Sequence, residues 1–289
     1  MGHRLSIRAK LQLIIGAAVA LVLASLILVV NLRLSGLLRG FLQDAASETA
    51  SRYTSIIENE VERPLVVATT LTQVCETVLK APAAERRERL DSLVSTILER
   101  NYGFTAVWCS WEPDLLDGLD GRNRGGRRGN EAGRYDVTYY RGEGGAVGRQ
   151  VCSEAEIAEA PRYIAPKTEQ RIAINGPYAR SYGEGGPSAQ VTSFSVPLIT
   201  QDLTLLGIVG VDVLASAFQS VISAINSYGN GLAVLYATDG VIAAHPEASL
   251  GGKGIDAESG FFSEADFAAY RDAITGGADT TLSLRRDGE

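Results

Sequence analysis

From Leu11 to Leu32 the chain carries no charged residue, and between Leu13 and Val30 only Ser25 is polar. As a helix this run extends about 33 Å, enough for a hydrocarbon core of about 30 Å. Arg4, Arg8 and Lys10 precede it, and the excess of positive charge puts the N-terminus in the cytoplasm. A cleavable signal peptide has the same charged front. Its apolar region would be shorter, and no clear small-x-small site follows Val30. The expectation is an uncleaved membrane anchor over residues 11–32, a cytoplasmic N-terminus over 1–10, and everything after it on the far side of the inner membrane.

The helical pattern continues past the apolar run. Leu38, Phe41, Leu42, Ala45, Tyr53, Ile56, Ile57, Val61 and Leu65 recur at steps of three and four, with acids and Arg52 between them, the pattern of an amphipathic helix. The spacing predicts one stalk helix over 33–80, about 70 Å long, with Pro64 opening a hydrogen bond or bending it. An apolar stripe of that length is expected to pair two copies of the chain as a homodimer.

Beyond Ala81-Pro-Ala the pattern changes to mixed helix and strand. A helix is predicted from Ala84 to Arg100 and a strand from Phe104 to Trp111. A Gly, Arg and Asp-rich loop comes next, from 117 to 133, with arginines expected in solvent. Short strands are predicted over Arg134–Tyr140 and Gly148–Cys152, a helix from Glu154 to about Ala165, a turn at Asn175-Gly-Pro-Tyr178 and a short strand to Tyr182. Gln190–Thr200 and Leu205–Val213 are β-branched and apolar, and the polar step Gln201-Asp202 between them makes them neighbouring antiparallel strands. Leu214–Tyr228 then reads as a helix. Gly231 begins a smaller α/β pattern: strands at Leu232–Ala237 and Val241–Ala244, a helix over Phe261–Ile274, and a strand start at Thr280–Arg285. The sequence stops on a hairpin turn without its return strand, so this second module is expected to be incomplete here.

One acid interrupts the apolar strand Leu205–Val213. A carboxylate there is costly to bury unless something pairs with it. Asp212 either caps the helix that starts near Leu214 or is kept to receive the amine of a ligand.

The net charge of −7 argues against nucleic acid, whose phosphates need a basic surface. Cys75, Cys109 and Cys152 show neither a C-x-x-C pair nor zinc spacing. A Cys109–Cys152 disulfide and two buried thiols both remain open. With His3 and His245 the sole histidines, a histidine-based metal site is not expected, and no cofactor is implied. His245 before Pro246 reads as structural. No G-x-S-x-G, H-E-x-x-H or phosphate-loop motif is present, so a membrane-tethered hydrolase has no machinery and the chain is not expected to be an enzyme.

Four stretches carry a resemblance: Gly133-Arg-Tyr with Tyr139-Tyr140; Gly176-Pro-Tyr178; Gly207-Ile-Val-Gly-Val-Asp-Val213; and Tyr236-Ala-Thr-Asp-Gly-Val-Ile-Ala-Ala-His-Pro246 with Gly251-Gly-Lys-Gly254. In order and spacing they resemble the double-Cache sensor domain of bacterial methyl-accepting chemotaxis proteins and related transmembrane receptors, over roughly residues 33–289. The fold this implies is α+β: two stacked PAS-like modules with antiparallel sheets on the long helix. The membrane-distal module (81–229) would hold a small ligand, and the proximal one (230–289) would relay to a second span. Members that bind amino acids use an aromatic pocket and an acid in the G-V-D segment, and Asp212 matches that acid. Tyr163 matches the tyrosine of a Trp-Tyr pair, although Arg162 stands before it. The carboxylate clamp of those members is only partly resembled by Ala160-Pro-Arg-Tyr163. A second acid often follows Pro-Tyr, whereas Tyr178 is followed by Ala179, Arg180 and Ser181.

A pocket needs apolar walls with a few aimed polar groups. The candidate ligand-binding residues are therefore Asp212, Tyr163, Tyr178, Tyr139, Arg134, Trp108 and Trp111. The function expected is the extracytoplasmic sensor region of a chemoreceptor, binding an amino acid or other amine and signalling to downstream proteins through an output region. The alternative is the same sensor on a histidine kinase or a diguanylate cyclase.

Overall fold

The computed structural model describes residues 54–276 apart from 184, 187, 228–232, 238 and 239, together with residues 16, 21, 23, 25, 26, 28, 30, 33, 48 and 51. The chain divides into two compact units, Met1–Ser55 and Ile56–Glu289. In the first, the positions described are helical, and Leu21, Leu23, Leu26, Leu28 and Val30 are each more than half exposed. Among the described residues no helix is long and apolar enough to cross a membrane. The expected anchor falls for the most part outside the described residues.

The second unit opens with a helix over residues 56–78 (α1), which runs unbroken through Pro64. A second helix (α2, Ala83–Arg100) comes after it. Leu90, Val94 and Leu98 recur at a spacing of four and lie in one buried cluster with Ala68, Leu71, Cys75 and Val78 of α1. That spacing puts one face of each helix onto the same core.

The sheet has six strands: β1 (Ala106–Trp111), β2 (Asp136–Arg141), β3 (Val147–Gln150), β4 (Ala173–Ser181), β5 (Ser188–Ile199) and β6 (Leu205–Leu214). Their spatial order is β3-β2-β1-β6-β5-β4, with every neighbouring pair antiparallel. Val107, Cys109, Trp111, Val137, Phe194, Val209 and Val211 face the α1–α2 core. The alternate residues face the other way, under two short helices, α3 (Glu154–Glu159) and α4 (Pro161–Glu169). Trp108, Cys152, Ile157, Tyr163 and Ile208 pack together there. Gly210 opposes Trp108 across the β1–β6 pair, and a Cβ at Gly210 would lie 2.4 Å from the indole, so the bare backbone is what lets the ring lie flat.

Two sequence expectations change and one open alternative closes. The helix expected over 154–165 is two helices, separated at the extended Ala160, where Pro161 starts the second. The turn expected at 175–178 lies inside β4, which begins at Ala173 and continues through the cis Gly176–Pro177 bond with a register shift between Asn175 and Tyr178. Cys75, Cys109 and Cys152 are free thiols, all buried, which settles the disulfide alternative in favour of thiols.

The loop between β1 and β2 is folded around a buried arginine. Arg87 of α2 grips Asp117 at 2.7 and 3.0 Å and Asp120 at 2.5 Å, and donates to the carbonyls of Arg128 and Gly133. Arg128, expected in solvent, pairs with Asp91 at 3.1 Å.

After β6 come α5 (Ala215–Ser227), a two-stranded sheet of β7 (Leu235–Tyr236) and β8 (Ile242–Ala244), and α6 (Glu264–Gly276). His245 is structural there: its Nδ1 accepts the Glu247 N–H at 2.8 Å, which leaves Nε2 to meet Glu258 at 3.0 Å. Residues 280–285 lie outside the described residues.

Candidate ligand site

Strand alternation collects the polar residues of the sheet on the face under α4. Ala106 and Ser193 flank Asp212 across its two strand pairs, and Trp108 lies two residues along the same face of β1. Asp212 is completely buried. It does not cap α5: its oxygens are taken up within the sheet. Oδ1 accepts from Trp108 Nε1 at 2.9 Å and Ser193 Oγ at 2.6 Å. Oδ2 accepts from Arg180 Nη1 at 3.0 Å and the Tyr182 hydroxyl at 2.7 Å. A carboxylate offers about four lone-pair sites, so this one is saturated.

The Asp212–Arg180 pair sets the electrostatics. Burial, the largest single influence, would lower the Arg180 pKa, but the Asp212 carboxylate together with the Tyr182 and Tyr178 hydroxyls outweighs it and the guanidinium is held more firmly charged. Burial and the same carboxylate push the Tyr182 phenol well up. Arg180 also reaches Thr138 Oγ1 at 3.2 Å and lies over the Tyr182 ring at 4.9 Å. Tyr178 closes the group, its hydroxyl 2.7 Å from Ser193 Oγ.

Beside this cluster, α4 lowers Arg162 onto the face of Trp108, 4.1 Å from the ring centroid. Tyr163, next in sequence, joins Arg134 and Glu112 through its hydroxyl, and Arg134 also pairs with Glu154 at 3.1 Å. Trp108, Ser110, Asp136, Arg162 and Tyr163 line one pocket, too tight to admit water. At the end of the sheet lies an open cleft of about 460 Å³, with Phe104, Thr105, Tyr140, Tyr182 and Leu214 on its walls. Tyr140 and Tyr182 stack at 5.6 Å. Tyr182 therefore stands on the cleft wall with its hydroxyl on Asp212.

Of the seven residues read from the sequence, Asp212, Trp108 and Tyr178 meet in the saturated cluster, and Tyr163 with Arg134 forms the adjoining one. Trp111 and Tyr139 belong to the opposite side of the sheet. Trp111 is buried in the helix-packed core with Nε1 on Cys109 Sγ at 3.0 Å, and Tyr139 packs against that core. Sequence reasoning missed Arg180, Ser193 and Arg162. Tyr178-x-Arg180-x-Tyr182 was a usable signal, since alternate strand positions share a face. Among the described residues no group of three or more His, Cys, Asp or Glu is placed to hold a metal ion.

The fold is one seen in solved sensor domains. The chain is 22% identical to the extracellular domain of the histidine kinase candidate mmHK1S-Z2, with a TM-score of 0.65, covering 82% of this chain and 84% of that one. To methyl-accepting chemotaxis protein X the identity is 22% and the TM-score 0.62, over 81% and 82% of the two chains. The periplasmic sensory domain of the Campylobacter jejuni chemoreceptor Tlp1 is 13% identical, with a TM-score of 0.57 over 81% of each chain. No family model matches the sequence, and no curated protein matches it.

Proposed function

We propose that this chain, which has the fold of chemoreceptor and sensor-kinase extracellular domains, is the small-molecule sensor region of a membrane receptor, and that its ligand binds on the Asp212 face of the six-stranded sheet. The observation that carries the proposal is the gathering of Trp108, Tyr178, Arg180, Tyr182 and Ser193 onto one fully buried carboxylate, beside a cleft whose wall is Tyr182. Buried polar networks are costly to build and reward only complete satisfaction, and a binding site is a reason to keep one. The six-stranded part is then the ligand module, and the part after α5 relays the change.

The membrane anchor belongs to the same proposal. Leu21, Leu23, Leu26, Leu28 and Val30 are exposed; at about 100° per residue they fall on two opposite faces of a helix, and from Leu13 to Val30 only Ser25 is polar. A helix apolar all round calls for an apolar surround, which a bilayer supplies. The N-terminus is then cytoplasmic and the sheet extracytoplasmic, with two copies paired through the long helix. Binding would shift the populations of two sensor arrangements, and the helices would carry the difference inward. Chemotaxis is the output we favour, with a histidine kinase or diguanylate cyclase as the alternative. The region itself is non-catalytic in either case.

A thermal-shift panel of amino acids, biogenic amines, carboxylates and purines on the full chain in detergent tests this. A true ligand at about a hundred times its Kd adds about 2.7 kcal/mol to stability, which shifts the melting temperature visibly. A well-folded sample that responds to no compound contradicts the proposal.

A further inference from the structure

Arg162 differs from the other buried arginines. Arg87 sits on Asp117 and Asp120, Arg134 on Glu154, and Arg180 on Asp212. Arg162 is 4% exposed and takes part in none of the ion pairs among the described residues. Its Nη2 meets only the Cys152 sulfur, at 3.4 Å, and its Nη1 has no protein partner. Cys152 is no counter-ion, because burial and then the charge of Asp136 push its thiol up to about 11. Asp136 lines the same pocket but spends Oδ1 on the Cys152 N–H, at 2.9 Å. In that pocket Ser110 Oγ is buried and also without a partner.

A buried guanidinium nitrogen and a buried hydroxyl, both without a partner and both on residues that line one pocket, are a costly arrangement for the protein alone. They are what a carboxylate needs, since charged acceptors form short, strong bonds with such donors. Asp212 offers an amine no such opening, because all four of its acceptor positions are taken and its cation is Arg180. We propose that the ligand of this site is a small carboxylate with no requirement for an amine, seated on Arg162 Nη1 and Ser110 Oγ against the Trp108 ring. Asp212 acts as a positioning residue that fixes Arg180 and Trp108. Entry takes an outward shift of α3 and α4, the pocket being too tight for water as it stands. The inference rests on the sensor proposal and narrows its ligand class.

The test uses the full chain in detergent micelles, with propionate and lactate as carboxylates without an amine, alaninamide and ethanolamine as amines without a carboxylate, and alanine with both. Propionate or lactate is expected to raise the melting temperature saturably. Arg162→Gln is expected to weaken that binding at least tenfold, while the unliganded variant melts no lower than the parent because a buried unpaired charge has gone. A saturable response confined to the amines, or carboxylate binding undiminished in Arg162→Gln, overturns the inference and leaves the sensor proposal standing. Silence toward every compound in the wider panel takes down both.

Discussion

Replacing Asp212 by alanine is expected to cost about 3–5 kcal/mol of stability, the scale for removing one partner of a buried ion pair. The cost comes less from the bonds than from what they leave behind. The Arg180 side chain is 10% exposed, and without Asp212 its charge keeps no carboxylate in contact. Trp108 Nε1, Ser193 Oγ and the Tyr182 hydroxyl lose their acceptor in the same step. Asparagine is expected to fall between, since it retains one carbonyl oxygen but turns an amide toward Arg180. The double change Asp212→Leu with Arg180→Met should recover most of the loss, because apolar replacement of a whole buried pair is often neutral. Chemical denaturation of the three variants checks the order. An Asp212→Ala chain as stable as the parent would mean that the cluster is solvated. The size of this effect is also why Arg162, and not Asp212, is the residue to change when binding is the readout.

Arg87→Met is expected to be comparably severe, again about 3–5 kcal/mol, and to act on the loop between β1 and β2. Arg87 supplies five hydrogen bonds to that segment, and methionine leaves Asp117 and Asp120 buried without their cation. The effect carries a pH signature. Burial alone would raise the Asp117 carboxyl, but the Arg87 bond, the Leu119 N–H and the Arg87 charge outweigh it and hold it below the usual carboxylate range. A depressed carboxylate contributes its full stability above the unfolded pKa of about 3.9 and loses it as pH falls through the folded value. The gap between parent and Arg87→Met should therefore be widest near neutrality and narrow below about pH 4. Denaturation at both pH values measures it, and a gap that widens in acid would reverse the assignment.

The elements that were legible in the sequence are those whose burial repeats. β5 and β6 appear close to their expected limits because each is a continuous β-branched apolar run, α2 because it presents one apolar face, and Asp212 stood out as the one acid in such a run. Two site errors were avoidable by the same logic. Trp108 and Trp111 are three residues apart on one strand, as Tyr139 is one step from Tyr140, and an odd step puts side chains on opposite faces. Other features had no local signal. Arg87 sits in Glu85-Arg-Arg-Glu-Arg89, which reads as a solvated helix turn, and only the packed loop makes it a buried hub. Arg180 did share a strand face with Tyr178, but its meeting with Asp212 could not be read from that because β4 shifts register between Asn175 and Tyr178. The meeting of Arg162 with Trp108 depends on where α4 is laid, and the break at Ala160 that sets it is a property of the assembled fold.

The central claim is that ligand binds on the Asp212 face, and Trp108 is a reporter built into that face. Trp108 and Trp111 are the chain's two tryptophans, and Trp111 belongs to the opposite core, so Trp111→Phe leaves Trp108 emission as the sole indole signal. Titrating that variant with a carboxylate that raises the melting temperature is expected to change Trp108 emission with the same half-saturation as the thermal response. A carboxylate that stabilises the chain while Trp108 emission stays flat would place the ligand elsewhere and contradict the account.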